Sequence, residues 1–405
     1  MSKSTFFTGQ PIFTQLLNFI PKTLVQQISR RHDSDRYCKK FKAYDHLVCM
    51  LYAGFFQCTS LRELITGMQA NAGRLNHLGL IHTPRRSTLS DANGRRMADF
   101  FGDLYHHLYK RYFGLPDSRL DAGDSQGRLF IIDSTTISLF SSIMHGAGDY
   151  GADGRKKGGA KAHMMIDARH DIPAFVTITE ARENDLTFLR KVHVPDRATV
   201  VFDKAYINHR QFMDWSKRKV TWVSRLKAQS VVKHLEEYSI SKEQSDKGIL
   251  RDHLVLLGRY SNRKKSPQVQ ARLIEYYDKE KDRTFCFITN DTACEPFQTA
   301  GLYKQRWQIE TLFKRIKQRY PLKYFLGDNP NAIKIQIWCA LICDLLVKII
   351  QTQVNKTGKR LWAYASLAGM IKHHLMTYIH ITTFLLNPEK AINNYHPPDR
   401  QLALF

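Results

Sequence analysis

The sequence predicts an α/β chain in which a mixed sheet is flanked on both sides by helical regions. Three observations carry that reading. Apolar residues recur at helical spacing up to about Tyr112, short β-branched runs separated by Pro, Gly or polar clusters follow from Leu129 to Thr289, and helical spacing returns from about Phe297. At 405 residues the chain has room for more than one domain. Hydrophobic residues at 43% and charged residues at 24% are the composition of a folded protein and exclude a wholly disordered one.

Taken in order, Ala43 to Phe55 places Leu47, Val48, Leu51 and Phe55 at helical spacing. Ser60-Leu61-Arg62-Glu63 has the capping-box pattern, in which Ser and Glu side chains satisfy free amides at a helix start. After a turn from Gly79 to Pro84, a third helix begins at Ser87 or Ser90 and runs past Arg95 and Arg96 toward Tyr112. These helices fit a helix-turn-helix, and they fit an ordinary bundle equally. Residues Gly114 to Asp124 read as a linker. Leu129–Ile132, Ala162–Ile166, Ala174–Ile178, Thr199–Phe202 and Val220–Ser224 read as strands, with a helix over Asn208–Lys217. From Ala228 to Lys281 the pattern is irregular and charged, with strands expected at Leu254–Leu257 and Ala271–Tyr277 and a basic turn at Arg263-Lys264-Lys265. Thr284–Thr289 is the last strand; one long helix from about Phe297 to Arg319 follows, and residues 330–385 are helical again.

Charge narrows the function. Lys plus Arg number 61 against 37 Asp plus Glu, a net charge of +24. Such an excess calls for a polyanionic partner, nucleic acid or an anionic lipid surface. The most apolar stretch, Ala332 to Ile350, is interrupted by Lys334, Gln336, Asp344 and Lys348, so a buried helix is expected and not a membrane span. The first residues lack the unbroken apolar core of a signal peptide, and a soluble cytoplasmic protein, on the nucleoid when bound to DNA, is the expectation. The seven cysteines contain no C-x-x-C pair; Cys339 and Cys343 read as core thiols, and His106-His107 as solvated. Gly154 to Lys161 looks like a phosphate-binding loop, but Ala160 stands where such a loop needs Lys. A basic loop on DNA backbone and a plain solvated turn are the two readings left there.

Two carboxylates follow apolar runs. Asp133 comes after Leu129-Phe130-Ile131-Ile132 and Asp203 after Thr199-Val200-Val201-Phe202. A carboxylate there needs a partner, a metal or an edge open to water. Paired carboxylates in a chain this basic are a means of holding Mg²⁺ against phosphate. On the long helix, offsets of four and seven from Glu310 bring Tyr303, Arg306, Lys314 and Lys317 onto its face, beside a stripe of Leu302, Ile309, Phe313 and Ile316 that would pack on the sheet. One acid thus lies among three cations and a phenol.

These residues resemble a known family. Tyr303-x2-Arg306-x3-Glu310-x6-Lys317 is similar to the signature of bacterial insertion-sequence transposases of the IS-four type, within the DDE class. Asp133 in I-D-S-T-T and Asp203 in F-D-K-A-Y resemble the first and second catalytic aspartates, although Ala205 stands where the family more often has Gly. Val223-Ser224-Arg225-Leu226-Lys227 resembles the stretch after the second aspartate, and Lys161 to Asp167 the second strand. The resemblance implies an RNase H-like core over residues 119–325 with a β-rich insertion at about 228–290, a helical DNA-binding region over 1–118 and a helical C-terminal region over 326–405. It implies that Asp133, Asp203 and Glu310 hold two Mg²⁺ ions, with Mn²⁺ as a substitute. Tyr303, Arg306, Lys314, Lys317, Arg225 and Lys227 would grip double-stranded DNA, in a homodimer that pairs two element ends. Trp222 precedes the insertion and is read as a core residue. A nuclease without end joining and a catalytically silent DNA-binding derivative are the alternatives. Base reading is expected from Ser90, Asn93, Arg95 and Arg96 in the segment Ser87–Arg96, after the basic Arg85-Arg86 start.

Overall fold

A computed structural model describes residues 9–114, 127–139, 159–227, 229–258 and 267–393. The expected linker beyond Gly114, the loop 154–158 and the basic turn Arg263-Lys264-Lys265 lie outside the described residues. The chain divides into two compact units, Leu115–Arg315 and a second formed by Met1–Gly114 with Ile316–Phe405.

The helical unit begins with α1 (Ile12–Leu17), α2 (Lys22–Arg31), α3 (Ala43–Phe56), α4 (Leu61–Ala70), α5 (Arg86–Arg95) and α6 (Ala98–Tyr112). The sheet unit follows with α7 (Asp185–Leu189), α8 (His209–Lys217), α9 (Lys242–Asp246), α10 (Pro296–Lys304) and α11 (Trp307–Arg319), the last crossing the boundary between units. Returning to the helical unit, α12 (Pro330–Thr357), α13 (Tyr364–His373), α14 (Ile381–Leu386) and α15 (Pro388–Asn393) complete the helices. Helix α12 contains the interrupted apolar stretch and is buried along most of its length against α3 and α6. Two glycines let it approach: a Cβ at Gly54 would stand 2.8 Å from Cys343 Sγ, and one at Gly102 would stand 2.9 Å from the Trp338 ring. Cys339 and Cys343 are core thiols, their pKa raised by burial. Among the described residues no helix is long and apolar enough to cross a membrane.

Four expectations in this unit need correction. The third helix is two, α5 and α6, broken at Arg96-Met97, because the Arg96 side chain turns inward to the carbonyls of Ser34 and Phe41. Asn93 (1% exposed) bonds His46 at 2.8 Å, so neither it nor Arg96 (4% exposed) is free to read bases; Ser90 and Arg95 remain on the surface. His106 is not solvated: it packs against Trp338 with ring centroids 5.4 Å apart, and burial lowers its pKa to about 4. At Ser60 the side chain accepts from the Glu63 amide as the capping box requires, but Glu63 turns to Thr59.

The sheet unit holds β1 (Leu129–Ser138), β2 (Gly159–Asp167), β3 (Ile172–Glu180), β4 (Thr199–Phe202), β5 (Thr221–Arg225), β6 (Val232–Glu237), β7 (Ile249–Leu257), β8 (Val269–Asp278) and β9 (Arg283–Thr289). They form one sheet in the order β3-β2-β1-β4-β5-β9-β8-β7-β6. An antiparallel β1-β2-β3 meander, with β4 and β5 parallel to β1, makes an RNase H-like core. The β-rich segment continues this sheet beyond β5 through the antiparallel β9. Strand β6, absent from the sequence reading, is an edge strand whose Lys, His and Glu side chains stay in water, so it carries no alternating pattern. On one face Trp215, Trp222, Phe202 and Phe212 form the core, with the Trp222 and Phe212 rings stacked 4.2 Å apart. On the other, Val201, Val223 and Phe287 pack against Ala300 and Tyr303 of α10.

Candidate active site

Strand register brings the first two acids together. The parallel ladder between β1 and β4 ends at Ile132 opposite Phe202, so Asp133 and Asp203 stand one residue past the last pair on neighbouring strands. Adjacent strands run about 4.8 Å apart. Asp203 opens a 3-10 turn, Lys204–Tyr206, where its Oδ1 accepts from the Ala205 amide at 3.0 Å. Ala205 is not among the residues with positive φ, so this turn does not require Gly.

Glu310 arrives from above the sheet, and here the single long helix needs correction. The backbone breaks between α10 and α11: Arg306 N–H bonds back to Tyr303 O and Ile309 N–H to Arg306 O, a tighter i−3 pattern than the α-helical i−4. The break turns Arg306 down to the sheet. Its Nη1 donates to Asp133 Oδ2 at 2.7 Å and its Nη2 to Glu310 Oε1 at 2.5 Å. One guanidinium thus bridges two acids, whose bonded oxygens can be no more than about 7–8 Å apart. The Ser134 amide donates to Asp133 Oδ1 at 2.8 Å, and Arg225 Nη2 donates to Asp203 Oδ2 at 3.4 Å. The Tyr303 ring lies between the two cations, 5.4 Å from Arg225 and 5.8 Å from Arg306.

The electrostatics of Asp133 report crowding. Burial is the largest effect and raises its pKa to about 6; the Ser134 amide and Arg306 oppose it, while Asp203 and Glu310 push the same way as burial. Around this cluster the donor side is unfinished. Arg306 Nε and Arg225 Nε are buried without a hydrogen-bond partner among the described residues, and the buried Tyr303 hydroxyl lies against Arg225 with no acceptor for its own proton. Unsatisfied buried donors cost on the order of 1–3 kcal/mol each. Three of them at one place suit an anion such as phosphate. The three carboxylates offer the hard oxygens that a small divalent cation takes, although among the described residues no group of three or more acidic, His or Cys residues is already gathered as a metal cage. The acids fit a metal only once the guanidinium between them is displaced.

The other sequence-read residues spread outward. Lys314 is exposed one turn beyond Glu310 on α11, and Lys317 lies a further turn on, half-buried, its pKa lowered by burial. Lys227 is exposed just past β5. Lys161, at the end of the suspected basic loop, lies in β2 and pairs with Asp185.

Asp185 went unread, and its carboxylate is the hub behind the acids. Its Oδ1 accepts from Lys161 Nζ at 2.8 Å, Ser134 Oγ at 3.0 Å and Tyr206 Oη at 3.3 Å, with His163 Nδ1 3.4 Å away. Burial acts to raise its pKa, but His163 and Lys161 outweigh it and hold the carboxyl well below the usual range. Ser134 follows Asp133 and Tyr206 closes the turn that Asp203 opens, so Asp185 ties both acid-bearing segments together. Arg315, also unread, fastens α11 to Asp171 between β2 and β3. Trp307, 65% exposed, stands beside Arg306.

The chain is similar in sequence to known proteins. Residues 124–346 match the family described as Transposase DDE domain, and residues 8–81 match a domain of unknown function, DUF4372. The transposase-named protein y4zB of Sinorhizobium fredii is 30% identical over 271 residues, 66% of this chain and 72% of that one. The transposase-named protein of insertion sequence element IS4SA from Synechocystis is 23% identical over 70% of this chain and 77% of its own. The piggyBac transposase synaptic complex with hairpin DNA aligns over 98% of this chain and 84% of that one at 12% identity with a TM-score of 0.46, too low to add to the assignment. The family match spans more than half of the chain and holds all three acids, and the chain belongs to the DDE transposases of bacterial insertion sequences.

Proposed function

We propose that the protein binds the ends of its own insertion sequence, cuts the DNA there and joins it to a target, with Asp133, Asp203 and Glu310 as the metal-holding acids. Membership of the family implies dependence on a divalent cation and a DNA partner; two Mg²⁺ ions, replaceable by Mn²⁺, are the specific proposal. The observation that carries it is Arg306, which grips Asp133 and Glu310 together while its own Nε, Arg225 Nε and the Tyr303 hydroxyl remain buried donors without acceptors. Bound Mg²⁺ would activate a water or a DNA 3′-hydroxyl and stabilise the leaving oxygen.

The chain's own residues do the rest. Arg306 is a placeholder cation in the free protein, and on substrate it moves from the acids to a non-bridging phosphate oxygen. Arg225 Nε and the Tyr303 hydroxyl donate to the same phosphate, which satisfies their buried atoms. Lys314, Lys317 and Lys227 hold neighbouring phosphates, and the exposed Trp307 ring offers a stacking surface for a base. Asp185 positions Ser134 and Tyr206, and through them the two aspartates. The working form is a homodimer holding two ends, with end recognition in the helical N-terminal region. Such a protein works in the cytoplasm, on the nucleoid.

The test is cleavage of a duplex carrying the inverted repeats that flank the reading frame, with Mg²⁺. Wild type should nick at the repeat ends and join them to a target plasmid, and Asp133→Ala, Asp203→Ala and Glu310→Ala should each do neither while retaining DNA binding. Cutting without joining would favour the nuclease reading, and binding without either reaction the silent one.

A further inference from the structure

The helical unit carries a second concentration of positive charge, within the residues 8–81 that match the domain of unknown function. Between α2 and α3 runs Arg36-Tyr37-Cys38-Lys39-Lys40-Phe41-Lys42, four cations and no acid in seven residues. Buried groups fix this loop from within. The Arg96 guanidinium donates to Ser34 O at 3.1 Å and to Phe41 O, lies 5.4 Å from the Phe41 ring, and stands 3.5 Å from Asp35 Oδ1. Asp35 in turn accepts from Ser29 Oγ at 2.8 Å and from the Ala43 amide at 2.6 Å, capping α3.

Everything that could project outward is polar or aromatic. Arg36, Tyr37, Lys39, Lys40 and Lys42 are all exposed, and Arg95 joins them, its guanidinium 3.1 Å from Cys38 Sγ. Among the described residues Arg36, Lys39 and Lys40 make no ion pair. Tyr37 is 84% exposed, held at a φ of 58° with the Arg36 guanidinium 5.0 Å from its ring. Arg36 Nη2 also donates to the Tyr37 hydroxyl at 3.2 Å. Positive φ is disfavoured for a residue with a β-carbon, so the fold keeps a solvent-exposed ring, contacted by Arg36, in an unfavourable conformation on its surface. Asp45 offsets part of the Lys42 charge, but the like charges of Arg36, Lys39 and Lys40 repel one another, and a polyanion relieves that repulsion.

We propose that this loop, with Arg95, is a DNA grip in which Arg36, Lys39, Lys40, Lys42 and Arg95 lie on phosphates and Tyr37 stacks on an unpaired base at a DNA end. It rests on the reading of the protein as a DNA-binding transposase and assigns a part of that work to the loop. A phosphate grip alone would need no aromatic ring; a stacking platform beside cations is the combination that holds single-stranded ends.

The test uses the full chain and fluorescence anisotropy over a range of salt, on a blunt duplex of arbitrary sequence and on the same duplex with a three-nucleotide frayed end. Arg36→Gln/Lys39→Gln/Lys40→Gln should lower the slope of log affinity against log salt by about 0.9 for each phosphate contact removed. Tyr37→Ala should lose about tenfold in affinity for the frayed end and nothing for the blunt one, with Tyr37→Phe retaining the preference. An unchanged slope in the triple variant, with an unchanged melting curve, overturns the grip, as does a Tyr37→Ala loss that is equal on both duplexes. If wild type itself shows no salt-dependent DNA affinity, the DNA-binding reading falls and the grip with it.

Discussion

Two acid–arginine arrangements in the same sheet unit differ in a way that separates stability from chemistry. In the β-rich extension, Asp252 on β7 meets Arg272 on β8 in a two-pronged pair, Nε to Oδ1 at 2.8 Å and Nη2 to Oδ2 at 2.6 Å. Arg272 Nη1 goes to the Cys294 carbonyl at 2.5 Å, and the Tyr238 ring lies 5.5 Å from the guanidinium. One charge meets one charge, and the donors find acceptors. At the ends of β1 and β4 two arginines face three acids, Arg306 Nε and Arg225 Nε have no partner among the described residues, and Asp133 is pushed up to about 6. A satisfied buried pair cannot lose one partner without stranding the other's charge. An unsatisfied one awaits a ligand.

The largest expected effect separates the two by function. Asp133→Asn should abolish strand cleavage, a loss of three orders of magnitude or more in single-turnover rate, and should leave the protein at least as stable as wild type because it removes a crowded charge. Asp252→Ala should do the reverse, with about 3–5 kcal/mol lost from denaturant unfolding as Arg272 is left buried and alone, and with a site that still cuts below the unfolding transition. If Asp133→Asn unfolds the protein, the contrast fails.

The same contrast can be read in pH, in metal-free protein. Asp133 has a folded pKa of about 6, above its unfolded value of 3.8, so its stabilising contribution is present below 3.8 and is lost as pH rises through 6. Asp185 is displaced the other way, so its contribution is present above 3.8 and is lost as pH falls toward its lower folded value. Thermal melts should show the gain in Asp133→Asn growing from acid to neutral pH, and the deficit in Asp185→Asn shrinking as acid is added. Parallel curves for wild type and Asp133→Asn would mean that the carboxyl is not crowded.

Asp185 also marks the limit of what the sequence discloses. Asp133 and Asp203 were legible because each ends an apolar run, and Arg306 with Glu310 because i, i+4 spacing survives the break between α10 and α11. The break itself was not legible, since Gln305-Arg306 is ordinary helical sequence and the pull comes from Asp133, distant in the chain. Asp185 reads as the second residue of an Asn-Asp helix start, and its partners Ser134, Lys161 and Tyr206 come from three separate segments. Asn93 and Arg96 misled for the opposite reason: polar residues on a short helix look like surface until the fold turns them to His46 and the loop carbonyls. As a positioning residue, Asp185 predicts a fall of about 10–100-fold in turnover for Asp185→Asn with DNA affinity kept, largely rescued by Asp185→Glu. Loss of affinity in step with turnover would make it merely structural.

The smallest effect concerns which cations serve DNA and which serve the acids. Arg306 has two tasks in the proposed cycle, holding Asp133 and Glu310 apart from each other's charge before substrate and holding phosphate after. Lys314 has one, since it is exposed and makes no ion pair among the described residues. Lys314→Gln should therefore change only DNA binding, lowering the salt slope by about 0.9 with no change in the melting curve at any pH. Arg306→Gln should lower the slope by the same increment, and it should also destabilise metal-free protein near neutral pH, where Asp133 and Glu310 would confront each other uncompensated. Divalent metal should restore that lost stability, because the acids then have a cation again. If Arg306→Gln melts like wild type without metal, the guanidinium is not the placeholder between these acids, and the unsatisfied site would need another explanation.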